Sequence, residues 1–237
     1  METKRGLSYR MTNIIVLSYP RSGTHLLLNT ISNNLQHDLI FKPWEDFSPL
    51  QCGTPIEKGP SQGKFIPPDP SNNYLIKSHA LNLFELEGQL QNSVLLKNSQ
   101  LIYIYRDAFE VIRSSYYYYP TWSEKIKDLI TVARAEGKDP FKEFILKSPF
   151  LKERRASIDF WLNFSGDQKI LTISLRELLG NFPKSLGRLS DYTNLKIKKN
   201  IILPTHPDFN KAAGVVSPNL TKYEFDREKY LPLVEAQ

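Results

Sequence analysis

The stretch VLSYPRSGTHLLLNTI, Val16 to Ile31, decides the fold. An apolar run ends at Leu17. A turn of Ser18, Tyr19, Pro20, Arg21, Ser22 and Gly23 follows, and then Leu27, Leu28, Ile31 and Leu35 recur at helical spacing. A strand, a tight turn and a helix start make a general anion-binding arrangement, because free amide groups and the positive end of the helix dipole face the same point. Arg21 adds a cation that stays protonated. Ser22 and Thr24 add hydroxyls, and Gly23 lets the backbone approach closely. The pattern G-x-x-x-x-G-K-[ST] of nucleotide loops, aligned on Gly23, sets Ser18 at its first glycine, Thr24 at its lysine and His25 at the residue that holds Mg²⁺. The anion cradle is kept and the metal ligand is lost.

Working outward, Asn13 to Leu17 is a short apolar run of the kind covered on both faces in a parallel sheet. LIYIY (Leu101 to Tyr105) and KILTIS (Lys169 to Ser174) are two more, and NYLIK (Asn73 to Lys77) is a shorter one. Helical patterns lie between them. Residues 107–119 follow the second run directly. Residues 148–165 begin with Ser148 and Pro149, which read as an N-cap and a proline at the first helical position. Phe150, Leu151, Ile158, Trp161 and Leu162 form that helix's apolar stripe. Strands alternating with helices imply a single-domain α/β fold built on a parallel, doubly wound sheet flanked by helices. Ligands of such folds bind beyond the carboxyl ends of the strands. The expected domain is 13–237, after a tail at 1–12. Residues 42–72 hold seven prolines and three glycines in 31 residues. They read either as a lid over the site or as a passive surface excursion.

The chain of 237 residues has 31 Lys and Arg against 25 Asp and Glu, a net charge of +6. This mild excess suits an anionic ligand, but there is no basic–aromatic patch for nucleic acid. The short groups at 152–155 and 196–199 read as solvated surface. One cysteine, Cys52, excludes an internal disulfide, and no Cys/His spacing suggests a metal. The N-terminus lacks the apolar stretch of a signal peptide, and no apolar run reaches membrane-spanning length, so a cytoplasmic protein is expected.

YPRSGTHLL resembles the 5′-phosphosulfate loop of sulfotransferases, written PKSGT or PRSGT. These enzymes use 3′-phosphoadenosine 5′-phosphosulfate (PAPS) on a P-loop-like α/β fold without metal. YIYRDAFEVIRSSYYYY resembles the family's 3′-phosphate site, which implies that role for Arg106 and Ser114. Arg106 stands at a strand's carboxyl end. Ser114 lies about two turns into the next helix, so spacing alone lets the two share a ligand only if it lies along that helix. IKSHAL resembles the Lys-x-His motif of cytosolic aryl and alkyl sulfotransferases, implying His79 as general base with Lys77 beside it. The segment from Leu151 to Leu195 is similar to the family's Trp-bearing helix, strand and YEDL stretch. Two departures stand out. Leu175-Arg176-Glu177 replaces Tyr-Glu-Asp, and Asn210 replaces an arginine of the C-terminal clamp, leaving Lys211 and Gly214.

The resemblance implies a sulfuryl transfer from PAPS to a hydroxyl or amine of a small-molecule acceptor, with 3′,5′-ADP as product and no metal. His79, Lys77 and Arg21 would be catalytic. Arg21, Ser22, Gly23, Thr24, His25, Arg106, Ser114 and Lys211 would hold the co-substrate. Glu45, next to Asp46, is a rival base, although an acidic pair in a loop is more simply solvated. A P-loop kinase or NTPase is one alternative, opposed by the missing lysine and metal ligand. A PAPS- or 3′,5′-ADP-binding protein with impaired catalysis is another. Of Tyr116 to Tyr119, four in a row on a helix, one or two are expected at an acceptor pocket and the rest in packing or solvent.

Overall fold

The structure, a computed structural model, describes residues 13–36, 39, 73–90, 93–121, 123–148, 150–205 and 227–236. The tail at 1–12, the 42–72 insert with Glu45 and Asp46, and Lys211 lie outside the described residues.

Among the described residues, four strands form one parallel sheet: β1 (Asn13–Leu17), β2 (Leu75–Ser78), β3 (Ser99–Tyr105) and β4 (Ile170–Ser174), in the order β2-β1-β3-β4. All four expected strands are present, with ends shifted by up to two residues. From β1 the chain goes first to β2 on one side and then to β3 on the other. This reversal opens a crevice at the carboxyl ends of β1 and β3.

Alternating residues divide between two helical layers. On one face, Ile14, Val16, Ile102, Ile104 and Ile173 pack with Leu27, Leu28 and Ile31 of α1 (Thr24–Asn34). Leu178 of the short helix after β4, and Phe182, Leu186 and Leu189 of the helix beyond it, complete that face. On the other face, Ile15, Leu17, Leu101 and Tyr103 pack with Leu86 of α2 (Leu83–Leu90) and with the fully buried Trp161. After α3 (Ser93–Lys97) and β3 comes α4 (Ala108–Tyr118), and then α5 (Glu124–Ala135) and α6 (Pro140–Lys147). These, with α7 (Phe150–Leu162) and α10 (Arg227–Glu235), gather an aromatic cluster that includes Tyr19 of the loop. The elements between are α8 (Leu175–Gly180) and α9 (Phe182–Thr193). Among the described residues, no helix is long and apolar enough to cross a membrane.

Three local expectations change. Ser148 ends α6 rather than capping α7: its amide donates to the Phe144 carbonyl at 3.1 Å, and its extended backbone suits a residue before proline. The basic group at 196–199 is structural in part, because Lys198 Nζ donates to the Ser32 carbonyl at 2.8 Å and so satisfies the last turn of α1. The group at 152–155 is not merely solvated either, as the site shows.

Candidate functional site

The loop after β1 turns twice through the left-handed region, at Arg21 (φ 69°) and Gly23 (φ 103°). Gly23 is required on two counts. The conformation is poor for any residue with a Cβ, and a Cβ there would meet Leu175 Cδ1 at 2.7 Å and Ile104 Cδ1 at 3.3 Å. Leu175, the departure from the expected tyrosine, therefore packs against the loop. Arg21 has no such allowance, and strain of this kind concentrates at functional loops. Ser22 N donates to the Tyr19 carbonyl at 3.2 Å, closing the turn. α1 then starts at Thr24 and presents its first amides to the crevice.

His79 follows β2 and is buried. Its Nδ1 lies 2.7 Å from the Ser18 carbonyl oxygen, which can only accept, so Nδ1 carries the proton and Nε2 keeps its lone pair. Ser18 Oγ is 3.2 Å from Nδ1 and 2.5 Å from Thr24 Oγ1, tying the imidazole to the loop. Burial, then the Lys77 charge, then His25 hold the imidazole well below its usual pKa, against the Ser18 hydrogen bond. Lys77 Nζ donates to His25 Nε2 at 3.2 Å. Burial, Lys77 and Arg21 lower His25 to about 3. Both rings are neutral near pH 7. The Trp161 indole donates to the Ala80 carbonyl at 2.9 Å, fixing the backbone beside His79.

The opposite wall is cationic. Arg21 Nε donates to Ser114 Oγ at 2.9 Å, and its guanidinium lies 4.1 Å from the Tyr118 ring centroid. Arg106 reaches the Arg21 carbonyl at 3.4 Å and Glu110 Oε2 at 3.0 Å. Arg21, Arg106 and Ser114 thus meet, and Arg21 supplies the bridge that sequence spacing left open. Arg154 Nη2 donates to the Arg106 carbonyl at 2.5 Å, and the Tyr19 hydroxyl donates to Glu153 at 3.5 Å. Burial lowers Arg21, Arg106 and Arg154, but a guanidinium stays charged.

The donor groups suit an elongated anion charged at both ends. Ser22 Oγ is buried without a hydrogen-bond partner among the described residues. Cations stand at both ends, Lys77 beside the loop and Arg106 at the corner before α4. No group of three or more His, Cys, Asp or Glu able to hold a metal occurs among the described residues.

Sequence reasoning missed Ser18, Tyr118, Glu110 and Arg154. Only Ser18 left a usable signal, as a polar residue ending an apolar strand. Of the tyrosine run, Tyr116 packs on Phe141 and Phe144, and Tyr119 stacks on Phe150 at 4.4 Å, so these two are structural.

A family model described as the sulfotransferase domain matches residues 11–236. Mouse sulfotransferase SULT7A1 complexed with PAP superposes with a TM-score of 0.54 at 18% identity, over 94% of this chain and 82% of that one. Retinol dehydratase in a complex with retinol and PAP gives 0.49 at 16% identity, over 80% and 62%. A sulfotransferase domain from the curacin biosynthetic pathway gives 0.46 at 16% identity, over 95% and 90%. At this identity the likeness to the mouse protein shows the fold. A search of the curated proteins finds no match.

Proposed function

The chain belongs to the sulfotransferase domain family, and we propose that it transfers a sulfuryl group from PAPS to a hydroxyl or amine of a small-molecule acceptor, with His79 as general base. The observation that carries the reading is the Nδ1–H bond of His79 to the Ser18 carbonyl, which leaves Nε2 as a proton acceptor beside the anion loop. The PAP-bound state of the mouse relative supports the choice of nucleotide.

Bound PAPS would supply a sulfuryl group activated by its link to a phosphate. The loop amides with Ser22, Gly23 and Thr24 would hold the 5′ end, and Arg106 with Ser114 the 3′-phosphate. Lys211 would add a further cation. His79 Nε2 takes the acceptor's proton. Arg21 and Lys77 neutralise the charge that grows on the leaving oxygen. His25 accepts a hydrogen bond from Lys77 and so positions that ammonium. Such catalysis works by placement and charge stabilisation.

The test is a calorimetric titration with 3′,5′-ADP in EDTA. Saturable binding without metal is expected. No binding of 3′,5′-ADP, with binding of Mg-ATP instead, would overturn the reading.

A further inference from the structure

Glu110 stands on the guanidinium assigned above to the 3′-phosphate, and the inference here rests on that assignment. Its Oε2 accepts from Arg106 at 3.0 Å and from Arg113 at 2.6 Å, and its Oε1 lies 3.9 Å from Arg227 at the start of α10. Arg227 is itself held by Asp107, the N-cap of α4, at 3.0 Å and lies over the Phe109 ring. One carboxylate is therefore ringed by three guanidinium groups, two from α4 and its entry and one from α10. None of Arg106, Arg113 and Glu110 is fully enclosed: their side chains keep 18%, 24% and 25% of their exposure. The cluster can rearrange without stranding a charge.

A carboxylate and a phosphate use the same guanidinium donors. A phosphate dianion brings more charge and more acceptor oxygens, so it prevails at Arg106, while Arg113 and Arg227 are already placed to keep Glu110 satisfied. We propose that Glu110 is a built-in competitor for Arg106. It yields to the donor's 3′-phosphate by shifting onto Arg113 and Arg227, and it returns to Arg106 as 3′,5′-ADP leaves. It is a positioning residue that acts through Arg106 and sets how tightly the nucleotide is held, hence how readily product departs.

The test compares 3′,5′-ADP with 5′-AMP, which differs by the 3′-phosphate alone, in calorimetric titrations of wild type, Glu110→Gln, Arg106→Ala and the double variant. Glu110→Gln is expected to tighten 3′,5′-ADP about tenfold, the scale of one charge-assisted hydrogen bond. It should leave 5′-AMP unmoved and have no effect in the Arg106→Ala background. Glu110→Ala is measured beside it, so that a melting defect in one variant leaves the other to decide. If wild type binds 3′,5′-ADP and a well-folded Glu110 variant binds it equally or more weakly, the carboxylate only braces Arg106 and the inference fails alone. An equal shift for both nucleotides also overturns it. Absence of 3′,5′-ADP binding to wild type removes the site assignment and this inference together.

Discussion

Around the loop after β1, Ser18, Thr24 and His79 meet through short, neutral, buried hydrogen bonds. At the corner between β3 and α4, four arginines (Arg106, Arg113, Arg154 and Arg227) share two carboxylates and a backbone carbonyl. The difference teaches what each end is built to do. A buried neutral group that leaves its partner strands an unsatisfied atom, at a cost of about 1–3 kcal/mol. The His79 end therefore keeps one geometry, which is what the proposed proton transfer needs. Partly exposed ion pairs are each worth about 0–1 kcal/mol. The corner can exchange them, which suits an anion that must bind and later depart.

Removing His79 is the largest test of this contrast. His79→Ala should lower kcat about 100- to 10,000-fold, the usual share of a general base. Its affinity for 3′,5′-ADP should stay near wild type, as steady-state kinetics and calorimetry on the same preparation would show. The mirror experiment is Arg106→Ala, which should weaken 3′,5′-ADP about 10- to 100-fold by loss of a charge-assisted hydrogen bond. Turnover at saturating donor should fall far less. If the two variants exchanged phenotypes, the division of labour would be wrong.

Gly23→Ala probes how rigid the loop is. The clash with Leu175 Cδ1 at 2.7 Å and the left-handed backbone should together destabilise the fold by about 1–3 kcal/mol. That corresponds to a drop of about 2–4 °C in Tm per kcal/mol, read by scanning calorimetry. An unchanged Tm would mean that the loop yields.

A further effect is on stability against pH. Folding lowers His25 from 6.5 to about 3 and also lowers His79. Below pH 6.5 the unfolded chain takes up protons that the folded chain refuses. Stability present above that pH is therefore lost as the pH falls toward 3. Tm measured from pH 7.5 to 4.5 should decline, and His25→Gln should flatten the decline.

The sheet, its parallel sense and the loop's place at a strand's carboxyl end were legible because short apolar runs and a helix start are local patterns. Arg21, Arg106, Ser114, Lys77 and His79 were proposed by resemblance, and the strand order brings them to one end of the sheet. Glu110, Tyr118 and Arg154 were hidden for a physical reason. Each acts through contacts that cross between elements, and an i,i+4 acid on a helix looks like any solvated pair. Arg154 belongs to a charge run that sequence assigns to the surface, yet the approach of α7 to the end of β3 sets its guanidinium on the Arg106 carbonyl. Ser148 was misassigned because a serine before a proline serves equally well to end one helix or begin the next.

The most direct measurement is intact-mass detection of sulfated product when PAPS is incubated in EDTA with a mixed library of phenols, alcohols, amines and sugars, using wild type and His79→Ala in parallel. A +SO₃ product from wild type that falls at least a hundredfold with His79→Ala is the predicted result. Undiminished product from the variant, or no product from wild type with any acceptor, would contradict the account.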